Sequence, residues 1–577
     1  MDLPTQEKEI LKDLEIEIGG NIPLVEELKS YTIGVQVKTN KVKGLCLFSC
    51  GLDTIPDGIE RLEHLEELHL RGNNINILPD TLSSLKSLKV LDISENRLNS
   101  VPNSIIFLEN LVELNVETNF IMHIPKNIGN LKSLEYFNLS GNKLSEIPES
   151  IIHLSNLKFL NLSDNEINKL PTSIGALKNL QFLYLGNNNL KTLPESIGFL
   201  KSLKRLNIRK NNLIQLPKSF GSLNSLSSCF LKGNKLKNLP DSIGSLKKLK
   251  YLGVNSNNLE DIPESIGLLD KLENLSLGNN EINSLPQTIG RLKSLLRFDI
   301  QNNKITHLPE SIGKLKLLKY FWASNNKLKS LPSSTGNLKY LESLKLNQNH
   351  IEIIPDTIGN LSSLNELDLY DNKLKSLPNS IGQLNKLTIF DLSSNLLEIL
   401  PENICKLSSL RELDISKNQL EQIPDCIGKL KNLRNLIMGF NRLRKIPESI
   451  GQLEKLETLD SGKNLLKSIP NSIGNMSSLK FLYLYYNNLE SIPETISSLK
   501  DLEYFNLSNN EISSLPESLG TLKNLEYLLL KANNLNNLPS ALENMLALKH
   551  FNIEKNKITE NIPILDKIRE RGVKIIL

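Results

Sequence analysis

Cysteine, aromatic side chains and net charge are all scarce in this chain of 577 residues. It has five Cys and one Trp, aromatic residues make up 5% of it, and the formal net charge is +4. A charge so close to neutral does not indicate binding to the phosphates of nucleic acids. No stretch approaches the roughly 20 consecutive apolar residues that a membrane-spanning helix needs, so we predict no membrane partner.

Most prolines, by contrast, recur at a constant interval. Of the 25 prolines, 22 lie on an unbroken lattice of 23 residues between Pro56 and Pro539. Asn stands six residues before each lattice proline after the first, from Asn73 to Asn533, and Asn556 continues this series at the same interval. A period in the range of about 20 to 50 residues with such patterning predicts a solenoid of stacked repeats.

One repeat illustrates the pattern. Residues 157–177 read LKFLNLSDNEINKLPTSIGAL, in which apolar residues alternate as in a strand and Asn165 follows them. The Asn carboxamide offers donors and an acceptor, so it can satisfy backbone groups where the strand turns away. Repetition at every turn predicts a buried ladder of hydrogen-bonded Asn side chains.

These residues resemble leucine-rich repeats, written LxxLxLxxNxLxxLPxxIGxLxx, over about nine tenths of the chain. The LPxSIGxL half is similar to intracellular Ras-group repeats, which include scaffold proteins of Ras-pathway signalling. The resemblance implies an α/β solenoid, a leucine-rich-repeat horseshoe of about 23 repeats. Its parallel β-sheet would lie on the concave side, with short helices or turns on the convex side.

The open ends of a solenoid expose core and sheet edge, so both need caps. We predict an N-terminal cap over residues 1–41, a repeat solenoid over 42–562 and a C-terminal cap over 563–577. The elements expected in the caps are a helix with the apolar stripe Ile10, Leu11, Leu14 and Ile18, strands Thr32–Val37 and Val42–Leu47, a helix at Ile564–Arg571 and a strand at Val573–Leu577.

The N-terminal composition and the cysteines favour a cytoplasmic location. The segment MDLPTQEKEILKDLEIE is acidic and lacks the basic and apolar regions of a secretory signal. Secreted leucine-rich repeats usually carry disulfide-bearing caps, whereas these five cysteines are odd in number and form no terminal clusters. We therefore expect reduced thiols and no bound metal.

Motifs for catalysis are absent from the sequence. There is no GxxxxGK[ST] phosphate loop, no HExxH, no GxSxG elbow and no kinase signature set, and the seven His are scattered. We predict a chain that is not an enzyme, with no cofactor, no small-molecule substrate and no nucleic acid partner.

Function is expected on the outward side chains of the strands, since the other positions are committed to packing. For Asn at position n, the outward positions are n−6, n−4, n−2 and n−1. Ten of the twelve Tyr and the only Trp fall there, and these residue types favour a protein partner.

Three candidate surfaces follow. The aromatic surface comprises Phe481, Tyr483, Tyr485, Tyr486, Tyr504, Tyr527 and Leu529. The acidic row comprises Asp368, Asp391 and Asp414, with Glu366, Asp371 and Glu412 beside it. The basic surface comprises Phe182, Tyr184, Arg205, Arg209, Lys210, Phe230, Lys232 and Tyr251, with Arg297, Tyr320 and Trp322 further along the chain.

Each surface has a second interpretation. Tyrosines prefer strands and stack in ladders without any partner. An acidic row either attracts a basic partner or is a solvated face. Arginines with aromatic rings can stack single-stranded nucleic acid, although the near-neutral chain favours an acidic protein motif.

The predicted function is that of a scaffold or adaptor that binds a partner protein on its concave face. The Ras-group resemblance implies intracellular signal transduction in a small GTPase or phosphatase pathway. The alternative is a ligand-recognition module, similar to innate-immune sensors, that acts with a separate effector chain.

Overall fold

The computed structural model of the chain describes residues 3–29, 31–558 and 563–577. The chain divides into two compact units, Met1–Ile282 and Asn283–Leu577. In each unit, three-residue strands pair in parallel with their neighbours in sequence, and a separate layer of short 3-10 turns connects them. Each unit is therefore a solenoid with a parallel sheet, which confirms the predicted fold class.

The first unit begins with a helix and an antiparallel hairpin. Helix α1 spans Thr5–Ile18, and strands β1 (Gly34–Lys38) and β2 (Lys41–Cys46) pair with each other. The strands that follow are β3 Glu67–His69, β4 Val90–Asp92, β5 Glu113–Asn115, β6 Tyr136–Asn138, β7 Phe159–Asn161, β8 Phe182–Tyr184, β9 Arg205–Asn207, β10 Ser228–Phe230, β11 Tyr251–Gly253 and β12 Asn274–Ser276. Leu68 lies beside Leu91, and because this register repeats, equivalent residues form straight rows.

The second unit continues the same pattern and ends in a short helix and a strand. Its repeat strands are β13 Arg297–Asp299, β14 Tyr320–Trp322, β15 Ser343–Lys345, β16 Glu366–Asp368, β17 Ile389–Asp391, β18 Glu412–Asp414, β19 Asn435–Ile437, β20 Thr458–Asp460, β21 Phe481–Tyr483, β22 Tyr504–Asn506, β23 Tyr527–Leu529 and β24 His550–Asn552. Helix α2 spans Pro563–Glu570, and β25 (Lys574–Ile576) pairs in parallel with β24. Within the described residues, α1 and α2 are both too short and too polar to cross a membrane.

The core of each repeat consists of apolar side chains closed by an Asn. Leu160 is fully buried, and Leu162 is 1% exposed. Asn165 Oδ1 accepts a hydrogen bond from the N–H of Leu144 at 3.0 Å, and Nδ2 donates to the carbonyls of Leu139 at 2.9 Å and Leu162 at 3.2 Å. The next Asn in the series repeats these contacts, so the predicted ladder is present.

Glycine in the 3-10 turns is explained by the contact between successive turns. A Cβ added to Gly175 would lie 2.0 Å from the carbonyl oxygen of Ser196 in the next turn. A Cβ added to Gly221 would lie 1.9 Å from the carbonyl oxygen of Ser242. The turn backbones therefore pack at a distance that only glycine permits at these two positions.

The predicted cap elements are present, and the ends of the two strands, the second helix and the last strand are shifted by one or two residues. Ile10 and Leu14 of the predicted stripe are buried in α1. Glu7, also buried, accepts a hydrogen bond from the N–H of Val42 at 2.8 Å and so ties α1 to β2. The domain boundaries themselves stay predictions, and residue 562 at the second boundary lies outside the described residues.

Candidate functional site

Side chains alternate along each strand between the core and the outer face of the sheet. Leu482, Phe505 and Leu392 are fully buried, whereas their neighbours Tyr483 and Asp391 reach solvent. The two faces are therefore those that the sequence predicts. The candidate surfaces lie on the outer face, where side chains are not needed for packing of the core.

The aromatic surface contains a row of rings on β21 to β24 of the second unit. Ring centroids lie 5.0 Å apart for Tyr483 and Tyr504, and 5.6 Å apart for Tyr504 and Tyr527. Phe481 lies beside Tyr504 across the ladder. The row extends to His550, 6.1 Å from Tyr527, which we did not predict although it lies six residues before an Asn of the series. The rings stabilise one another, while Tyr527 remains 39% exposed.

Two further tyrosines, Tyr485 and Tyr486, widen this surface. Their ring centroids lie 6.1 Å apart in an edge-to-face arrangement. Lys463 Nζ lies 5.3 Å from the centroid of the Tyr486 ring and 4.4 Å from that of Phe440, which are cation–π distances. This side of the aromatic surface is thus apolar with a single ammonium group held over the rings.

The three aspartates of the acidic row lie side by side on β16 to β18. Asp368 pairs with Asp391, and Asp391 pairs with Asp414, across the parallel ladder. Oδ1 of each accepts a hydrogen bond from the backbone N–H two residues later, at 3.1, 2.8 and 2.9 Å in that order. Asn138 in the first unit accepts the same hydrogen bond. The hydrogen bond therefore does not require a negative charge, and the choice of Asp needs another reason.

Two of the three carboxylates of the row, those of Asp368 and Asp414, are held in an unfavourable environment. The pKa of Asp368 is raised to about 6, mainly by burial and to a smaller extent by the charge of Asp391. Burial also raises the pKa of Asp414. Within the described chain, no Lys or Arg lies at ion-pair distance from these three aspartates, whereas Glu366 beside them pairs with Lys345 at 2.9 Å. The three aspartates of the acidic row thus have no direct ion-pair partner among the described residues.

We expect Asp368→Asn to stabilise the chain at pH 7.5. Asn keeps the acceptor for the backbone N–H and removes a charge that burial disfavours. Because the folded pKa lies above the unfolded value of about 3.9, the folded state binds the proton more tightly. The ionised carboxylate of Asp368 therefore destabilises the folded state increasingly as pH rises from about 4 to about 6. Allowing for solvent screening, the gain is about 1 kcal/mol, measured by chemical denaturation.

The gain should largely disappear at pH 4, where Asp368 is protonated in the folded state. Glu412→Gln, which neutralises an exposed carboxylate two strands away, is the matched control and should change stability little. An equal gain from Asp368→Asn at both pH values would show that relief of a buried charge is not its cause.

The basic surface of the first unit is a stack of guanidinium groups and rings on β8 to β11. Arg205 Cζ lies 4.8 Å and Arg209 Cζ 4.4 Å from the centroid of the Phe230 ring, and Arg205 also lies 5.9 Å from the ring of Tyr184. Tyr251 contacts Phe230 at 4.6 Å. Phe230 is only 8% exposed, so this ring is covered by the arginines instead of being a contact surface as predicted. The two arginines are partly committed to that packing.

Tyr320 and Trp322 form a smaller aromatic group on β14 of the second unit. Their ring centroids lie 6.3 Å apart, and Arg297 lies 5.2 Å from the Tyr320 ring. The Tyr320 hydroxyl donates a hydrogen bond to Glu342 Oε2 at 3.0 Å. Trp322 Nε1 is buried and has no hydrogen-bond partner among the described residues. Tyr320 is therefore fixed by its neighbours, while the indole keeps an unused donor.

A fourth aspartate, Asp460, belongs with the acidic row although we did not predict it. It lies on β20 between Ile437 and Tyr483 across the ladder. Its Oδ1 accepts a hydrogen bond from the N–H of Gly462 at 2.8 Å, and burial raises its pKa. The signal was available in the sequence, since Asp460 stands four residues before Asn464, the position shared by the other three aspartates.

A histidine, an aspartate and a serine lie together on the first unit without forming a catalytic geometry. Ser94 Oγ donates a hydrogen bond to Asp92 Oδ1 at 2.6 Å, and His69 Nδ1 lies 4.0 Å from Asp92 Oδ2. A nucleophilic serine needs its hydroxyl on the base, not on the carboxylate. In the part of the chain that the structure describes, no group of three or more His, Cys, Asp or Glu could hold a metal ion.

Two of the five cysteines form a disulfide, so the prediction of reduced thiols is wrong for this pair. Cys405 and Cys426 are bonded, with their Cα atoms 5.9 Å apart in successive turns. Cys405 takes the turn position that holds Gly in most repeats, where the backbone packs directly against the next turn. Cys46, Cys50 and Cys229 are free. The two cysteines meet because successive turns pack on each other. The lack of cysteine clusters at the ends of the chain, on which the prediction rested, gives no information about this contact.

The family comparison agrees with the repeat pattern. A model described as a leucine-rich repeat region matches the chain in eight overlapping segments, which are 45–146, 126–204, 147–236, 229–305, 296–388, 366–460, 425–503 and 463–570. The chain belongs to the leucine-rich-repeat family. No curated protein matches this leucine-rich-repeat chain significantly.

Solved structures similar to this leucine-rich-repeat chain include two plant receptors and one protein of Leptospira interrogans. The plant peptide hormone receptor RGFR1, in complex with RGF2, is 30% identical with a TM-score of 0.76, covering 94% of this chain and 92% of that one. The Arabidopsis receptor kinase HAESA, in complex with the peptide hormone IDA and the co-receptor SERK1, is 30% identical with a TM-score of 0.65, covering 94% and 91%. The leucine-rich-repeat protein of Leptospira interrogans is 32% identical with a TM-score of 0.58, covering 73% and 96%. These similarities support a binding module, while the Ras-group type rests on the sequence pattern alone.

Proposed function

We propose that the chain is a non-enzymatic interaction module that binds a partner protein through the aromatic surface of its second unit. The observation that carries this proposal is the row of partly exposed rings from Tyr483 to Tyr527. Tyrosine is a favoured anchor of protein interfaces, because it buries a large area with little loss of conformational entropy. Exposed rings cost free energy in water, and burial against a partner recovers it.

Stacking within the sheet accounts for the row itself but not for Tyr486. This residue is 53% exposed and has a φ of 51°, in the left-handed region that disfavours bulky side chains. Most other repeats place Asn, Asp, Ser or Lys at the equivalent position, for example Asn187 and Asp164, and the neighbouring aromatic Phe440 also occupies it. A tyrosine in this backbone conformation costs free energy and fills no space in the core, which supports a role in contact with a partner.

The pathway proposed is intracellular signalling, in which the chain acts as a scaffold for a small GTPase or a phosphatase. This finer function rests on the similarity of the LPxSIGxL half of the repeat to Ras-group repeats. The cytoplasmic location belongs to the same proposal, and the disulfide between Cys405 and Cys426 argues against it, since such bonds persist in oxidising compartments. Alkylation of thiols at the moment of cell lysis shows whether Cys405 and Cys426 are reduced, as expected in the cytoplasm, or bonded, as expected in an oxidising compartment.

The alternative proposal is a ligand-recognition module that acts with a separate effector chain. Two similar structures favour it, because the plant receptor RGFR1 is solved with RGF2 and HAESA is solved with a peptide hormone and a co-receptor. Under this proposal the outer face binds a peptide, and a second protein completes the signal. The same surface residues serve both proposals, so one set of variants tests the surface for either.

We expect capture of partner proteins by the full chain to fall at least about tenfold when four tyrosines of the aromatic surface are changed to Ala. The residues are Tyr483, Tyr485, Tyr504 and Tyr527. Loss of anchors of this kind costs about 2 kcal/mol or more each. Quantitative mass spectrometry of proteins captured from the native cell, with the intact chain and the variant in parallel, measures the loss.

Tyr340→Ala is the matched control, because Tyr340 is 58% exposed but does not lie on the outer face of the sheet. It should leave capture unchanged. Circular dichroism must show the same folded signal for the fourfold variant and the intact chain. Equal capture of the same proteins by the folded fourfold variant would remove the aromatic surface as the binding site.

A further inference from the structure

Asp460 joins the acidic row to the aromatic surface in one continuous strip of the second unit. Along the strand position that faces outward, Asp414 is followed by Ile437, then Asp460, then Tyr483. The outward positions on β16 to β20 carry seven carboxylates and two lysines, and those on β21 to β23 carry the tyrosines. The two surfaces are therefore halves of one strip that changes from acidic to aromatic at Asp460.

Two residues without side chains lie beside the carboxylate of Asp460. Gly439 and Gly462 flank it on the outer face, and a Cβ added to Gly439 would lie 3.2 Å from Asp460 Oδ1. Tyr485 lies over Gly462, since a Cβ added there would come within 2.2 Å of the tyrosine ring. The absence of side chains at the two glycines thus allows an aromatic ring to approach a partly buried carboxylate.

The charge of Asp460 has no ion-pair partner in the described part of the chain. No Lys or Arg of the described residues lies at ion-pair distance from Asp460, and Lys463 is held over the rings of Phe440 and Tyr486 instead. Burial raises the pKa values of Tyr483 and Tyr485, and the charge of Asp460 contributes to both. A cation placed beside a carboxylate and aromatic rings is attracted both by the negative charge and by the π-systems of the rings.

We propose that this strip binds an extended, Lys- or Arg-bearing segment of a partner protein, with one cationic side chain placed on Asp460 against Tyr483 and Tyr485. The inference rests on the proposed function and names the chemistry of its partner. From Asp368 to Tyr483 the strip crosses five strand spacings, roughly 24 Å, which is the length of about seven extended residues. The apolar side chains of the same segment would cover the tyrosine row.

The test uses the full chain and defined probes. Fluorescein-labelled eight-residue peptides of Gly and Ser carry Arg, Lys, Glu or no charge at alternate positions, and fluorescence anisotropy measures their binding. The Arg and Lys peptides should bind, the Glu and neutral peptides should not, and 0.5 M NaCl should weaken the binding at least fivefold. Binding of the Glu peptide with equal affinity would overturn the proposal.

The decisive variant is Asp460→Asn, which should weaken the Arg peptide at least tenfold. Asn keeps the acceptor for the backbone N–H, as Asn138 does in its own repeat, so the fold is not at risk. Asp299→Asn is the matched control, because Asp299 Oδ1 accepts the equivalent hydrogen bond from Gln301 at 3.1 Å and lies outside the strip. Equal affinity of the Asp460 variant and the intact chain would overturn the proposal.

Two other occupants are separate outcomes. Self-association seen by sedimentation velocity at low salt, and lost in Asp460→Asn, would assign the strip to a second copy of the chain and overturn the inference. So would calcium binding by calorimetry that depends on Asp460 while the Arg peptide does not bind. If partner capture depends on the four tyrosines but not on Asp460, the proposed function stands and only this inference fails. If capture depends on neither, the proposed function fails as well.

Discussion

Replacing Asn395 by Ala should lower the free energy of unfolding by about 2 to 5 kcal/mol. Asn395 is 5% exposed, and its Oδ1 accepts a hydrogen bond from the N–H of Leu374 at 3.0 Å. Its Nδ2 donates to the carbonyls of Leu369 at 2.9 Å and Leu392 at 3.0 Å. Ala leaves these buried backbone groups without partners, and each unsatisfied group costs about 1 to 3 kcal/mol. Chemical denaturation followed by circular dichroism measures the loss.

Asn385→Ala is the control for this prediction. Asn385 is exposed in a turn of the same unit, so its side chain is not part of the ladder. Its replacement should change stability by less than about 0.5 kcal/mol. A change equally small for Asn395→Ala would mean that water or a shifted backbone satisfies the buried backbone groups that Asn395 contacts. The Asn ladder would then not be needed to stabilise each repeat.

The second large effect is expected from Leu367→Ala, which should destabilise the chain by about 2 to 5 kcal/mol. Leu367 is fully buried, between Leu344 and Phe390 on the adjacent strands. The strands on both sides hold their spacing through backbone hydrogen bonds, so the core cannot collapse to fill the space that the side chain leaves. Thermal and chemical denaturation both report the loss.

Ile389→Ala tests the assignment of faces in the same experiment. Ile389 is an aliphatic residue of similar size on β17, but it points outward and is 39% exposed. Because little of its apolar area leaves water on folding, its replacement should cost less than about 1 kcal/mol. If Ile389→Ala proved more damaging than Leu367→Ala, the inward and outward faces would be exchanged and every candidate surface would lose its basis.

The repeat register made much of the candidate site predictable. Within each unit the repeat strands have the same offset from their neighbours, so the distance of a residue from its Asn decides which face it occupies. The same rule assigns Asp460 and His550 to outward positions. Both were missed because the predicted surfaces were chosen as groups of residues of one chemical type. Applied without that selection, the rule places both on the outer face.

Two features could not be obtained from the register. Phe230 occupies an outward position, yet Arg205 and Arg209 fold over it and bury the ring. The disulfide between Cys405 and Cys426 joins residues 21 apart, which come together because one turn packs on the next. In both cases the result depends on which side chain lies against which, and spacing in the sequence carries no such information.

The amino-acid sequence by itself determined the solenoid, the register of its strands, the Asn ladder and the outward face, because each repeat contacts mainly its neighbours and one local pattern suffices. Only the tertiary structure decided how the outward side chains use that face. The tyrosine rings stack because neighbouring strands bring them together, and burial raises the pKa values of Asp368 and Asp460. Burial and charge at one point depend on several repeats at once, so they are set by packing and not by the pattern within a repeat.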